Sequence, residues 1–230
     1  MSADRETVLA NLEEIREGIG EAARASGRAA GDVRLVAIGK TVPVDALSWV
    51  VEAGVDDFGE NYVKELAEKR EQLGGATWHY VGSLQSHTAH LVAEESDVVH
   101  TLAPGRATER LSRRAEGAGK RIPSLIQVDL TGTRNGTSPE ELAALADEVE
   151  ELQGLELSGL MTLPPMPEGP EDTRPYFARL RDLRDGLADT HPGLRELSMG
   201  MSLDFRAAIE EGATMVRVGT ALFGARPHPM

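Results

Sequence analysis

Val33-Arg34-Leu35-Val36-Ala37-Ile38-Gly39-Lys40 is a short apolar run that closes on a glycine and a lysine, and it follows a long amphipathic segment from Arg5 to Ala25. Its length suits a buried strand, and the spacing of the preceding segment suits a helix. From there to the carboxyl end, short apolar runs alternate with helix-length stretches of mixed polarity. The pattern predicts strands at Leu35 to Gly39, Val55 to Phe58, Thr77 to Val81, Val98 to Leu102, Ser124 to Leu130, Glu156 to Met161, Arg195 to Leu197 and Met215 to Val218. Eight strands, each followed by a helix or helical turn, read as an α/β protein: one (β/α)8 barrel domain over residues 1–230, with an extra N-terminal helix outside or under it.

Local punctuation supports the boundaries. Ser138-Pro139-Glu140-Glu141 sets a capping residue before a proline and two acids and predicts a helix start. Gly74-Gly75 and Gly154 are expected to stop the helices before them. Pro164-Pro165-Met166-Pro167-Glu168-Gly169-Pro170 lacks too many amide donors to be helix or central strand. It predicts a long loop after the sixth strand, placed either over the ligand face or as a plain crossover.

Composition narrows the function. The net charge of −14 argues against a nucleic-acid backbone as main ligand. With no cysteine, zinc-thiolate sites, iron-sulfur clusters and thiol nucleophiles are excluded. The N-terminus has no apolar signal core and no segment approaches a membrane span, so a cytoplasmic protein is expected, and a monomer. His87 and His90 lie three apart on an expected helix, but no third ligand completes a metal set.

Lys40 is one of four lysines against twenty arginines and sits at a strand end among Val36, Ile38 and Val42. Burial there would disfavour the ammonium and leave a nucleophilic amine, whose natural partner is an aldehyde. In such barrels ligands sit at the carboxyl ends of the strands, and phosphate is often held after strands seven and eight. Those loops read Ser198-Met199-Gly200-Met201-Ser202 and Gly219-Thr220-Ala221-Leu222-Phe223-Gly224. Ser198, Ser202, Gly219 and Thr220 are therefore the expected phosphate cradle, although either loop alone could be only a tight turn. Arg217 alternates with Val216 and Val218, so it faces either the barrel mouth or a neighbouring acid. Against a pyridine nitrogen it would donate and keep that nitrogen unprotonated. Asn61 could align ring substituents beside Lys40 or cap the next helix. His79, alone in a strand, reads as a hydrogen-bonded core residue.

These residues stand in Ala37-Ile38-Gly39-Lys40-Thr41, Phe58-Gly59-Glu60-Asn61-Tyr62, Trp78 to Ser86, Gly159-Leu160-Met161, Leu197 to Asp204 and Val216 to Gly224. Taken in order, the series closely resembles the pyridoxal phosphate homeostasis protein family. The resemblance implies a barrel similar to the N-terminal domain of alanine racemase, of the fold-type III kind, with pyridoxal 5'-phosphate as cofactor in a Schiff base on Lys40. It implies Arg217 as the pyridine partner, Ser202, Gly219 and Thr220 as phosphate ligands, and Asn61, Met161 and Met201 near the ring. The pattern is not matched everywhere: Gly39 replaces a usual serine, Ser83 a proline, His87-Thr88 an asparagine-lysine pair, and Arg134-Asn135-Gly136 a lysine-serine-glycine.

Two roles remain open at this stage, and a third is weaker. A carrier would bind the cofactor reversibly and buffer it or pass it to apoenzymes. A racemase-like enzyme would use Lys40 as base and needs a second base on the opposite face, which is not expected in a chain ending at Met230. A cofactor-free Schiff-base aldolase leaves Arg217 and the cradle unexplained. The carrier, without catalytic turnover, is the expected function.

Overall fold

The computed structural model describes residues 3–224. Eight strands, β1 (Arg34–Ile38), β2 (Asp57–Glu60), β3 (Thr77–Tyr80), β4 (Val98–Leu102), β5 (Ile122–Val128), β6 (Leu155–Thr162), β7 (Glu196–Ser198) and β8 (Met215–Val218), pair in sequence order. All pairs are parallel, and β1 closes on β8 through Arg34, Leu35, Val36 and Ala37 opposite Met215 to Val218. The expected closed barrel is the fold, and every predicted strand is present within two residues of its reading.

The helices are α1 (Arg5–Ala25), α2 (Val44–Glu52), α3 (Val63–Gln72), α4 (Ala89–Glu95), α5 (Arg106–Gly117), α6 (Leu142–Glu150), α7 (Arg174–Leu187), α8 (Phe205–Glu210) and α9 (Thr220–Phe223). The main core lies between the outer face of the strands and these helices; Phe58 and Trp78 stack there with ring centres 5.6 Å apart. Asp4 caps α1 by accepting from the Thr7 amide. Val8, Leu12, Ile15 and Ile19 then line one face of the helix. That face packs on α2, α8 and α9, so the extra helix lies outside the barrel, across the seam where β1 meets β8.

Two boundary signals have other meanings than expected. Ser138 and Glu141 do bond, the Glu141 amide donating to Ser138 Oγ at 3.3 Å, but on a turn that precedes α6 at Leu142. Gly75 ends α3 region as read, with φ +87. Gly154, by contrast, has an ordinary φ and is required by packing: a Cβ on it would stand 2.1 Å from the Ser112 carbonyl oxygen of α5. The proline-rich stretch is the loop between β6 and α7.

No described helix is long and apolar enough to cross a membrane. Gly154→Ala should cost about 2 kcal/mol, because two backbone segments must separate. Gly75→Ala, with nothing within 4 Å of the new methyl, should cost about 1 kcal/mol from its left-handed backbone alone. Urea midpoints of the two variants check that order.

Candidate functional site

On β8 the side chains of Val216 and Val218 join the outer core, so Arg217 turns into the barrel, where it is 4% exposed. One guanidinium nitrogen donates to Ser198 Oγ at 2.5 Å and the other to the Thr162 carbonyl at 3.0 Å. No carboxylate lies within ion-pair distance of it among the described residues. Burial lowers its pKa to about 10, with Asp204 opposing from a distance, so it stays a cation at neutral pH. A buried cation without a counter-ion is costly unless its donors are used. Its open side meets a cleft of about 590 Å³ at the carboxyl ends of the strands, which Ile38, Met166, Met201, Ser202, Gly219 and Thr220 also line.

The two cradle loops form one wall of that cleft. Gly200 has φ +88, and a Cβ there would strike Ala208 at 2.5 Å, so the turn after β7 requires glycine. The Ala221 amide donates to Ser202 Oγ at 3.1 Å and ties the loops together. The amides of Ser202 and Thr220 have no acceptor among the described residues, and Thr220 is exposed. Met166 and Pro167 bring the proline-rich loop to the cleft's edge. Tyr62, Met166 and Leu203, the exposed large apolar residues among those described, all lie on loops at this end of the barrel, two of them on the cleft itself.

Lys40 lies two residues beyond Ile38 and is half-buried, not sequestered as expected. Its ammonium stands 5.0 Å from the centre of the exposed Tyr62 ring, in a cation–π contact that replaces the anticipated apolar burial. Its backbone is gripped on both sides. Lys69 Nζ, on α3, donates to Gly39 O at 2.7 Å and to Glu60 and Glu65 at 2.6 Å each, and Glu65 accepts from the Thr41 amide at 2.6 Å. Thr41, the non-glycine residue with positive φ among those described, holds φ +62 under that grip. Gly39 has a reason too: a Cβ there would sit 2.8 Å from Glu60 Oε1.

Of the other expected site residues, Met201, Ser202, Arg217, Gly219 and Thr220 gather on the cleft. Ser198 does not belong to the cradle. It is fully buried, and its hydroxyl is taken by Arg217 and by His100 at 2.9 Å, so it supports the guanidinium from below. Met161 is fully buried in a small cluster with Val98 and Leu125, off the cleft wall. Asn61 is half-buried and caps nothing, since α3 begins after Tyr62 with no side-chain cap. His79 is the core residue expected, bonded to Asp57 and His100. Sequence reasoning quoted Glu60 with Asn61 and Tyr62 but missed Lys69 and Glu65, and with them the pairing of Glu60 to α3; the Glu65 and Lys69 spacing of four was the readable signal.

The chain matches the family model for the alanine racemase N-terminal domain over residues 10–227. It is 40% identical over 226 residues to the pyridoxal phosphate homeostasis protein of Pseudomonas aeruginosa, covering 96% of this chain and 97% of that one. The chain belongs to the pyridoxal phosphate homeostasis protein family. The Escherichia coli K12 member is 39% identical over 226 residues, covering 95% of this chain and 96% of that one. Among solved structures, PipY of Synechococcus elongatus with PLP bound superposes with a TM-score of 0.80 at 36% identity, over 90% of this chain and all of that one. Alanine racemase of Clostridium difficile shares the fold, with a TM-score of 0.76 at 18% identity, over 96% of this chain and 57% of that one. Asn135 donates to Ser83 Oγ at 3.2 Å, and Arg134 donates to Pro164 O. These bonds stitch together the loops after β3, β5 and β6.

Lys69→Ala would leave the Glu60 carboxylate buried without a cation and should destabilise the protein by about 3 kcal/mol in denaturant unfolding. Burial raises the Glu60 pKa to about 7, against the pull of Lys69. The folded state therefore holds this proton more tightly than the unfolded chain. The stability so gained is full below the ordinary value of 4.5 and is lost as pH rises through about 7. Glu60→Gln should flatten the stability profile across that window.

Proposed function

We propose that this chain binds pyridoxal 5'-phosphate reversibly through a Schiff base on Lys40 and serves cofactor homeostasis inside the cell, by buffering or delivery to apoenzymes, without catalytic turnover. The observation that carries this reading is Arg217: a buried cationic donor with no acidic partner among the described residues, opening on a cleft between two glycine-serine loops. That donor set fits the cofactor. An aromatic ring nitrogen is an acceptor for the guanidinium, and a phosphate is an acceptor for the unused amides of Ser202 and Thr220 and for their hydroxyls.

When bound, pyridoxal phosphate supplies an electrophilic aldehyde and a ring whose electron demand rises when its nitrogen is protonated. Lys40 supplies the amine that holds the aldehyde, and the grip of Lys69 and Glu65 on the flanking peptides keeps that amine at the strand end. Arg217 donates to the ring nitrogen and does not give up a proton to it, because a guanidinium remains far more basic than a pyridine. The ring is thereby kept a weak electron sink, which suits storage better than α-proton removal. Gly219 lets the backbone approach the phosphate, and Met201 borders the ring.

A purified protein loaded with the cofactor should show a visible absorption band that borohydride removes and that Lys40→Ala abolishes. Arg217→Gln should weaken binding about tenfold, the worth of one hydrogen bond to a charged group. A colourless protein with no response to added cofactor would sink the reading. Incorporation of solvent deuterium at the α-carbon of an added amino acid, with turnover, would replace the carrier by a racemase-like enzyme.

A further inference from the structure

Away from the cleft, one stretch of the chain runs against its overall charge. Between Arg106 and Arg121 stand six basic residues and two acids, in a protein whose net charge is −14. Most of that stretch is α5, which packs beside α4. Leu111 and Ala115, with Thr108 and Ser112, form the buried face of α5, and Ala89, Val92 and Ala93 form that of α4. Arg110, Arg113 and Arg114, spaced three and four apart, are left together on the exposed side.

With Ser86, His87 and His90 these three arginines line a pocket of about 480 Å³ between α4, α5 and the loop after β3. It shares no lining residue with the cleft. Every side chain around it is polar, none is acidic, and the donors are largely unused. Arg110 gives one bond, to Ser86 O at 3.2 Å, and the Arg113 and Arg114 guanidinium groups give none among the described residues. Glu109 and Glu116 stand four before and three after Arg113, spacings at which a helix pairs opposite charges. Even so, no carboxylate lies within ion-pair distance of any of the three arginines among the described residues. Like charges at these spacings weaken a helix, so the cluster does nothing for α5 itself.

We propose that this pocket is a second anion site, which takes a phosphate group, either on a small organic molecule or as inorganic polyphosphate. The donor count separates phosphate from carboxylate. A guanidinium donates in pairs, and three such forks beside two imidazoles offer more N–H groups than the roughly four lone-pair positions of one carboxylate can accept. A terminal phosphate carries three acceptor oxygens and close to two negative charges, so it can face several forks at once. Shape separates a small ligand from a polymer. A flat basic face would suit an acidic protein or a nucleic-acid backbone, whereas here the cations surround a hollow of small-ligand size. The polar lining offers no apolar wall to the rest of the ligand, so the anionic group itself carries the affinity. No lysine lines the pocket, and the phosphate is held by charge and hydrogen bonds alone.

The test follows the histidine ring-proton NMR signals of the full chain, with His87 and His90 assigned through His87→Gln and His90→Gln. Inorganic pyrophosphate and, separately, glycerol 3-phosphate are titrated in at fixed ionic strength, which holds screening constant. At least one of them should shift both signals saturably, and the tighter of the two tells polyphosphate from phosphate ester. Acetate should shift neither. Arg113→Ala should weaken the binding about tenfold, the worth of one hydrogen bond to a charged group, and Arg110→Ala combined with Arg113→Ala should abolish it. Both side chains are exposed, so these variants should fold as the wild type does, and the wild-type titration needs neither. Signals unmoved by both phosphates, equal saturable shifts with acetate, or shifts that survive the double substitution would overturn the inference. Because pocket and cleft share no residue, the cofactor reading stands or falls separately, on its absorption band.

Discussion

The pairing of β1 with β8 is the contact on which the other arrangements depend. Four consecutive residues of the first strand stand opposite four of the last, so the sheet has no free edge and the first and last strands are neighbours. Closure sets Ile38 beside Gly219, where a Cβ on the glycine would stand 3.2 Å from the isoleucine's own. It also brings the Lys40 turn and Arg217 to the same end of the barrel. The α1 helix, lying against α2, α8 and α9, covers this seam from outside, and Asn11 donates to Leu222 O across it.

The site is held from two directions by polar groups that would be out of place in an ordinary core. Outside the sheet, Lys69 draws Glu60, Glu65 and the Gly39 carbonyl together and keeps Thr41 in a left-handed conformation that a β-branched residue rarely adopts. Inside it, the bonded imidazoles of His79 and His100 stand under Arg217, joined to it through Ser198. Each arrangement places buried polar groups where apolar packing is the rule, a break in local pattern of the kind expected at a site. The two meet at the same end of the barrel, one beside Lys40 and the other under Arg217.

The strands were legible because each is a short apolar run between helix-length segments, a pattern set by local periodicity alone. Arg217, Ser202, Gly219 and Thr220 were legible because the fold rule says where strands seven and eight must end. Ser198 was misread for lack of a rule about direction: a serine at a strand end can face the loop or the barrel, and only the ring of strands decides. Lys69 looked like any lysine on a polar helix, Val63-Lys64-Glu65-Leu66-Ala67-Glu68-Lys69. Its burial comes from β2, whose Glu60 faces outward beneath it. His79 and His100 belong to different strands, and nothing local says that their rings touch.

By itself the sequence determined the number and order of the elements, the closed barrel they imply, the family, and which loops would carry glycines and hydroxyls. Those features follow from near-neighbour chemistry: hydrophobic period, backbone freedom and missing donors act within a few residues. The tertiary structure alone decided that Arg217 is buried without a counter-ion among the described residues, that Lys40 rests on Tyr62, that Gly154 yields to the Ser112 carbonyl, and that Asp57 is joined to Arg217 through two histidines and Ser198. These depend on distances between segments far apart in the chain, which exist only once the sheet has closed on itself.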